Sequence, residues 1–143
     1  MRSGVWSGLG IAMVFALAGC STDGEGEGGF GVPRQPADAP LAGTRTDIRG
    51  TVQVESNGCL TLDTGTGEPR WIVWPADQED DQGQPVLDGR VVGDGDVLVG
   101  TGAEVSVDAL PDWPNRDGYF GSFAVFCSAE ESGIVVLDAV ARD

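Results

Sequence analysis

The sequence contains no histidine and no lysine, so its eight basic side chains are all arginines. Without histidine the chain cannot form a Ser-His-Asp triad, a Cys-His pair or a histidine metal site. Acidic residues number 23, which gives a formal net charge of −15. A polyanion is repelled by nucleic acid and by anionic lipid unless a metal or a local basic patch intervenes, so no nucleic-acid partner is expected.

Long hydrophobic runs are also scarce. The uncharged run Val5–Gly19, fifteen residues long, follows the single charge of Arg2. A membrane-spanning helix needs about 20 apolar residues, so this run is too short to span well and is typical of a signal peptide. It ends in Leu17-Ala18-Gly19-Cys20, which resembles the lipobox of bacterial lipoproteins.

This resemblance implies that the Cys20 thiol carries a diacylglyceryl group and that cleavage removes residues 1–19. The loss of Arg2 then changes the net charge from −15 to −16. The protein is expected to be lipid-anchored at the outer face of the cytoplasmic membrane, with the membrane as a partner through its acyl chains. A plain secretory signal with a coincidental cysteine and a short uncleaved anchor are the alternatives.

A change of composition follows Cys20. Residues 23–29 alternate acid and glycine, and residues 32–40 contain three prolines, without a hydrophobic period in either part. Glycine, proline and like charges favour an extended, flexible chain. Residues 20–43 are therefore predicted to be a tether, and residues 44–143 a single domain.

Strand patterns dominate from Thr44 onwards. In Ile48–Glu55 apolar and polar residues alternate, and Asn57-Gly58 is a hairpin signal. Further predicted strands are Cys59–Asp63, Arg70–Trp74, Gln84–Leu87, Arg90–Val92, Val97–Val99, Ala103–Val107, Phe120–Ser128 and Gly133–Val140. No helix is predicted in the domain apart from one possible turn in Ala76–Gln82. The fold class is all-β, a small antiparallel barrel or sandwich of six to eight short strands.

The two remaining cysteines, Cys59 and Cys127, are predicted to form a disulfide. If Cys20 is acylated they are the only pair left, and a compartment beyond the membrane permits oxidation. Closing this loop would stabilise the fold by about 4 kcal/mol in the chain-entropy model. Two free buried thiols are the alternative.

A second resemblance rests on four features in order. They are Asn57-Gly58-Cys59-Leu60, Trp74-Pro75, the segment Gly93–Gly102 with its Gly-Asp-Gly-Asp-Val start, and Cys127. This order resembles small lipoproteins and secreted β domains of high-G+C Gram-positive bacteria. The resemblance implies a β fold and an envelope location.

Four acidic residues are weak candidates for the ligands of a calcium ion. Asp77, Glu79 and Asp81 alternate, and Asp88 lies where the last ligand of a calcium loop would stand. The required glycine is displaced to Gly83, the last ligand is not Glu, and helical flanks are missing. A solvated acidic loop is the alternative interpretation, and no cofactor is expected.

Aromatic residues supply a possible interaction site. Trp113, Arg116 and Tyr119 lie in a turn-rich loop, and such residue types anchor interfaces or stack on sugars. The alternative is that Trp113 folds back as a lid over the barrel end. Trp71 and Trp74 are predicted to point to opposite faces of a strand, with one in the core and the other exposed.

The sequence therefore predicts a non-catalytic binding or interaction module whose partner is an envelope protein or a small ligand. A β-barrel that carries a small molecule is the first alternative. A calcium-binding domain or a carboxylate-based hydrolase is the second. An apolar pocket would favour the carrier. Converging carboxylates with raised pKa values would favour the enzyme. A surface without a pocket but with one aromatic patch would favour the interaction module.

Overall fold

The computed structural model describes residues 31–143. The predicted signal peptide, Cys20 and the first part of the predicted tether lie outside the described residues. The described chain forms eight strands: β1 (Thr46–Val54), β2 (Leu60–Asp63), β3 (Arg70–Val73), β4 (Asp80–Asp81), β5 (Gln84–Leu87), β6 (Arg90–Val91), β7 (Val97–Val105) and β8 (Ile134–Arg142). A 3-10 turn (Val107–Ala109) and two helices, α1 (Tyr119–Phe126) and α2 (Ala129–Ser132), lie between β7 and β8.

Five of these strands close a barrel in the order β1-β2-β3-β8-β7. Strands β1, β2 and β3 are joined as successive antiparallel neighbours, and β7 returns to lie beside β1, which is a Greek-key arrangement. The last strand, β8, closes the barrel between β7 and β3. The short strands β4, β5 and β6 form a separate sheet inserted between β3 and β7. The predicted all-β class and small barrel are confirmed.

One pairing differs from the predicted antiparallel arrangement, because β8 runs parallel to β3. Parallel strands are usually covered on both faces, and such strands read as continuous apolar runs. Residues 71–74 and 134–137 are such runs, and all eight side chains are buried. Their inner faces fill the barrel with Ile72, Val135 and Leu137. Their outer faces, including Trp71 and Val73, pack under the helices.

The predicted strand Phe120–Ser128 is wrong, because most of this segment forms helix α1. Its buried residues, Phe120, Phe123, Ala124 and Cys127, are spaced to share one face of a helix. That face covers the outer side of β3 and β8. At the helix start, the Asp112 carboxylate accepts hydrogen bonds from the Phe120 and Gly121 N–H groups at 3.1 and 3.4 Å. These groups have no partner inside the helix.

The expectation that the domain contains no helix is therefore also wrong, since α1 is followed by the short helix α2. The possible turn of helix in Ala76–Gln82 is not formed. Two of its residues, Asp80 and Asp81, instead belong to β4.

Part of the predicted tether packs against the barrel. The buried side chain of Gln35 donates hydrogen bonds to the Leu137 carbonyl at 2.7 Å and to the Asp138 carboxylate at 2.9 Å. It also accepts one from the Leu41 N–H at 3.0 Å, and Leu41 is 3% exposed. Buried side chains are thus found at Val32, Gln35 and Leu41, ahead of Thr44 where the predicted domain begins. This segment packs against the barrel because β8 offers a carbonyl and a carboxylate that accept hydrogen bonds from the Gln35 side chain.

Candidate functional site: an apolar cavity beside strand β3

The sheet opens on one side of β3. Strand β2 pairs with β3 only through Thr61 with Trp71 and Leu62 with Arg70. Further along, the N-terminal segment replaces β2, because Trp74 N–H donates to the Pro33 carbonyl at 2.7 Å and forms a parallel bridge with Arg34. Among the described residues, none is paired with Ile72 on this side. The separation of the two flanking segments leaves an opening in the barrel wall.

A cavity of about 540 Å³ lies at this opening. Its volume is within the range of roughly 300–1,000 Å³ that is typical of small-molecule sites. Its apolar walls come from the barrel, the small sheet and helix α1. They include Val54, Leu60, Trp71, Ile72, Trp74, Val91, Val92 and Phe123. Because these side chains come from distant parts of the sequence, only the folded chain brings them together.

The lining of this cavity carries no charge. None of the described residues that line it is Asp, Glu or Arg, although the chain has 31 such residues. Its polar side chains are the carboxamides of Asn57, Gln82 and Gln84. An ion would lose hydration there without gaining an opposite charge, so the cavity suits an uncharged molecule. The carboxamides can donate and accept hydrogen bonds at its edge.

A disulfide forms part of the cavity wall and confirms the predicted pairing. Cys59 and Cys127 are joined with their Cα atoms 5.7 Å apart, and both line the cavity. The bond ties the start of β2 to the end of α1. Asn57 adds a second tie, because its Nδ2 donates to the Phe126 carbonyl at 3.0 Å. Its Oδ1 also accepts a hydrogen bond from the Cys59 N–H at 3.0 Å.

The two tryptophans of the wall point to opposite faces of the strand, as predicted. Trp71 packs outside the barrel, where its ring centroid lies 6.1 Å from that of Phe123. Trp74 packs with the residues inside the barrel. The expectation that one of them is exposed is wrong, since Trp71 is 2% exposed and Trp74 1%. Both are covered because β3 has a packed layer on each face.

The three predicted interaction residues each contact other parts of the chain. Trp113 is half-buried against the outer core, and the Arg116 guanidinium lies 5.4 Å from the centre of its ring. Arg116 is also paired with Glu130 at 3.0 Å. The Tyr119 ring packs against Phe120 with ring centroids 4.9 Å apart, and its hydroxyl donates to the carbonyl of the cavity-lining residue Val32 at 3.4 Å. An interaction role for these three residues stays a prediction.

The predicted metal candidates do not form a metal-binding group among the described residues. Asp77, Glu79 and Asp88 line a shallow cleft of about 370 Å³ with Asp138, whereas Asp81 is not part of its lining. Within residues 31–143, no three Asp, Glu or Cys side chains come close enough to hold one metal ion. The neighbouring Asp80 carboxylate accepts a hydrogen bond from Arg34 at 2.5 Å. This hydrogen bond, together with one from Gly83 N–H, lowers the pKa of Asp80 below its ordinary value.

Sequence reasoning missed the cavity itself. No sequence motif marks the lining residues Val54, Val91 and Phe123. The gap beside Ile72 depends on where the N-terminal segment packs against the chain at Trp74. The one available signal was the helical spacing of Phe120, Phe123, Ala124 and Cys127, which places a helix beside β3. Within residues 31–143, no helix has the length and apolar character needed to cross a membrane.

Comparison of the chain with protein-family models, with curated proteins and with solved structures finds no match.

Proposed function

We propose that this protein is a lipid-anchored protein of the bacterial cell envelope that binds an uncharged, mainly apolar small molecule. The observation that carries the proposal is the cavity of about 540 Å³ beside β3. Its apolar wall supplies the affinity through the hydrophobic effect, and its carboxamides orient polar groups of the ligand. In this proposal the protein is a carrier of a small molecule, which is the first alternative given in the sequence analysis.

The chemistry of the lining supports binding over catalysis. General acid–base and nucleophilic steps need groups such as carboxylates, hydroxyls or thiolates. The described residues lining the cavity include no Asp, Glu, Ser, Thr or Tyr, and the sulfur atoms of Cys59 and Cys127 are bonded to each other. The cavity therefore offers surface and shape to a ligand, and no group that would react with it.

A titration with a neutral apolar fluorophore such as N-phenylnaphthylamine tests the proposal. Trp71 and Trp74 line the cavity, so energy transfer from tryptophan should accompany binding. Val91, which lines the cavity and is 40% exposed, is changed to Asp. We expect Val91→Asp to weaken binding by at least about tenfold, because the new carboxylate loses hydration among apolar groups.

The matched control is Val125→Asp. Val125 is 44% exposed and is not part of the cavity lining, so this change adds the same charge to a similarly exposed valine elsewhere. It should leave the affinity unchanged. Equal affinities of both variants and the parent protein, or a parent protein that binds no apolar probe, would refute the proposed binding function.

The proposed anchor is tested separately by the mass of the mature N-terminus. We expect a chain that begins at Cys20 and carries the mass of a diacylglyceryl group. Cys20→Ser should release the protein from the membrane fraction or leave it unprocessed. A Cys20→Ser variant that is processed and membrane-bound like the parent would exclude lipidation at this position, without bearing on the cavity.

A further inference from the structure

Three large exposed apolar residues either line the cavity or directly adjoin a residue that lines it. Val54 and Val91 line the cavity and are 45% and 40% exposed. Phe126, 43% exposed, directly precedes Cys127, and its carbonyl accepts a hydrogen bond from Asn57. Cys127 and Asn57 both line the cavity. We refer to Val54, Val91 and Phe126 as the mouth patch.

Helix α1 extends the uncharged character of this region. Tyr119–Phe126 contains no charged residue, and it buries Phe120 and Phe123 on one face while exposing Val125 and Phe126. A helix that is apolar on all sides normally has both sides covered. In a chain with 23 acidic residues, exposed apolar side chains beside an uncharged cavity indicate contact with an apolar phase.

The N-terminal segment places this surface near the proposed anchor. Gly31, the first described residue, lines the cavity. Cys20 precedes it by eleven residues, which span at most about 40 Å when fully extended. If Cys20 is anchored in lipid, as the proposed function requires, the chain enters the domain on the cavity side. The anchor therefore holds the mouth patch within reach of the membrane.

We propose that the mouth patch docks on the lipid bilayer, so that the cavity exchanges its apolar ligand directly with the membrane. This inference rests on the proposed function, because it needs both the anchor and the binding cavity. The ligand is then a molecule that is itself dissolved in the bilayer, which agrees with an uncharged and mainly apolar site. Direct transfer avoids passage of such a molecule through water.

The charges near the patch indicate which bilayer surface it fits. The Asp94 carboxylate accepts a hydrogen bond from the Val54 N–H at 3.0 Å, and Glu55 is the next residue along the chain. These carboxylates and the net negative charge of the chain oppose approach to anionic headgroups. Docking should therefore be faster on zwitterionic phosphatidylcholine bilayers than on bilayers that contain phosphatidylglycerol. Added salt should reduce that difference.

The test uses the mature lipid-modified protein in phosphatidylcholine vesicles. N-phenylnaphthylamine is added, and its entry into the cavity is followed by energy transfer from tryptophan. The rate reports transfer from the bilayer, and the final signal reports occupancy. Phe126→Asp should slow entry by at least about tenfold and leave the final signal unchanged, because Phe126 is not part of the cavity lining.

Two further variants serve as controls for Phe126→Asp. Thr44→Asp adds the same charge before the start of β1, at the other end of that strand from Val54, and should enter at the parental rate. Phe126→Leu keeps an apolar side chain and should also enter at that rate. Equal rates for Phe126→Asp and Thr44→Asp overturn the proposal, as does slow entry in Phe126→Leu. A parent protein that gives no signal at all refutes the binding function instead.

Discussion

At the scale of single residues, two glycines allow β7 and β8 to approach each other. A Cβ atom built on Gly100 would lie 2.0 Å from the Ala139 carbonyl oxygen, and one on Gly102 would lie 1.9 Å from that of Val136. The register between the strands shifts between Thr101 and Gly102. Glycine is needed at these places because the backbone of the neighbouring strand occupies the space of a side chain.

Gly102→Ala should lower the free energy of unfolding by about 1–3 kcal/mol, because β8 must move to admit the methyl group. Gly93→Ala is the matched control, since a Cβ there meets no atom within 4 Å and its φ is not positive. That change should be neutral or slightly stabilising. Chemical denaturation of both variants checks the prediction, and equal losses would contradict the role given to Gly102.

A second residue, Asp96, joins the loop before β7 to the end of the chain. Its carboxylate accepts a hydrogen bond from the Gly93 N–H at 2.8 Å and pairs with Arg142. These contacts, with the Gly93 hydrogen bond as the larger cause, lower the pKa of Asp96 below its ordinary value of 3.8. The ionised carboxylate is therefore more stable in the folded chain than in the unfolded one.

It follows that Asp96 stabilises the fold above its ordinary pKa. This contribution is lost as the pH falls below about 4 towards the lower pKa of the folded state. Asp96→Asn should lower stability at pH 7 and flatten the loss of stability between about pH 5 and pH 2. Thermal unfolding across this range measures the effect. Asp81→Asn, which removes one exposed carboxyl elsewhere in the chain, is the control for the loss of a single charge.

At the scale of elements, most strands were predictable because they carry their own local pattern, although β4 was not predicted and β7 was predicted as two strands. Alternation in Ile48–Glu55 and the Asn57-Gly58 turn place β1 and β2 to within two residues. Gln84–Leu87 matches β5 as observed. Helix α1 was missed because Phe120–Ser128 is apolar at most positions, and such a run gives no decisive period. The helix is stabilised by the Asp112 carboxylate at its start and by packing on β3 and β8, and local periodicity shows neither contact.

The disulfide is the covalent link between two elements of different type. Removing it in a Cys59→Ala, Cys127→Ala variant should lower the free energy of unfolding by about 2–5 kcal/mol, because it closes a loop across a sequence separation of 68. The affinity for an apolar probe should fall as well, since both residues line the cavity. Denaturant titration and probe binding measure the two effects.

Asn57→Ala is the comparison for this variant, because it removes the hydrogen bond from Asn57 to Phe126 and keeps the covalent link. It should cost only about 1 kcal/mol. A double cysteine variant that is as stable as Asn57→Ala would show that the disulfide contributes little to holding β2 against α1.

At the scale of the whole molecule, the candidate site was not predictable from the sequence. Composition and turns indicate a small β domain, and the paired cysteines predict the disulfide between Cys59 and Cys127. Its opening arises because β2 pairs with β3 only as far as Trp71, whereas the segment at Pro33 is hydrogen-bonded to Trp74, the residue after β3. Both events depend on tertiary packing. Residues 32–41 read as a tether by composition, and only the partners offered by β8 reveal their packed state.

The place of β8 in the barrel also bears on how the chain is made. The strand that closes the barrel is synthesised after the other four barrel strands, and the side chain of Gln35, which precedes all five, binds its Leu137 carbonyl. Until residues 134–142 emerge, the apolar edges of β3 and β7 have no partner and remain open to other chains. The nascent domain therefore passes through an aggregation-prone state that ends only when its final nine-residue strand is in place.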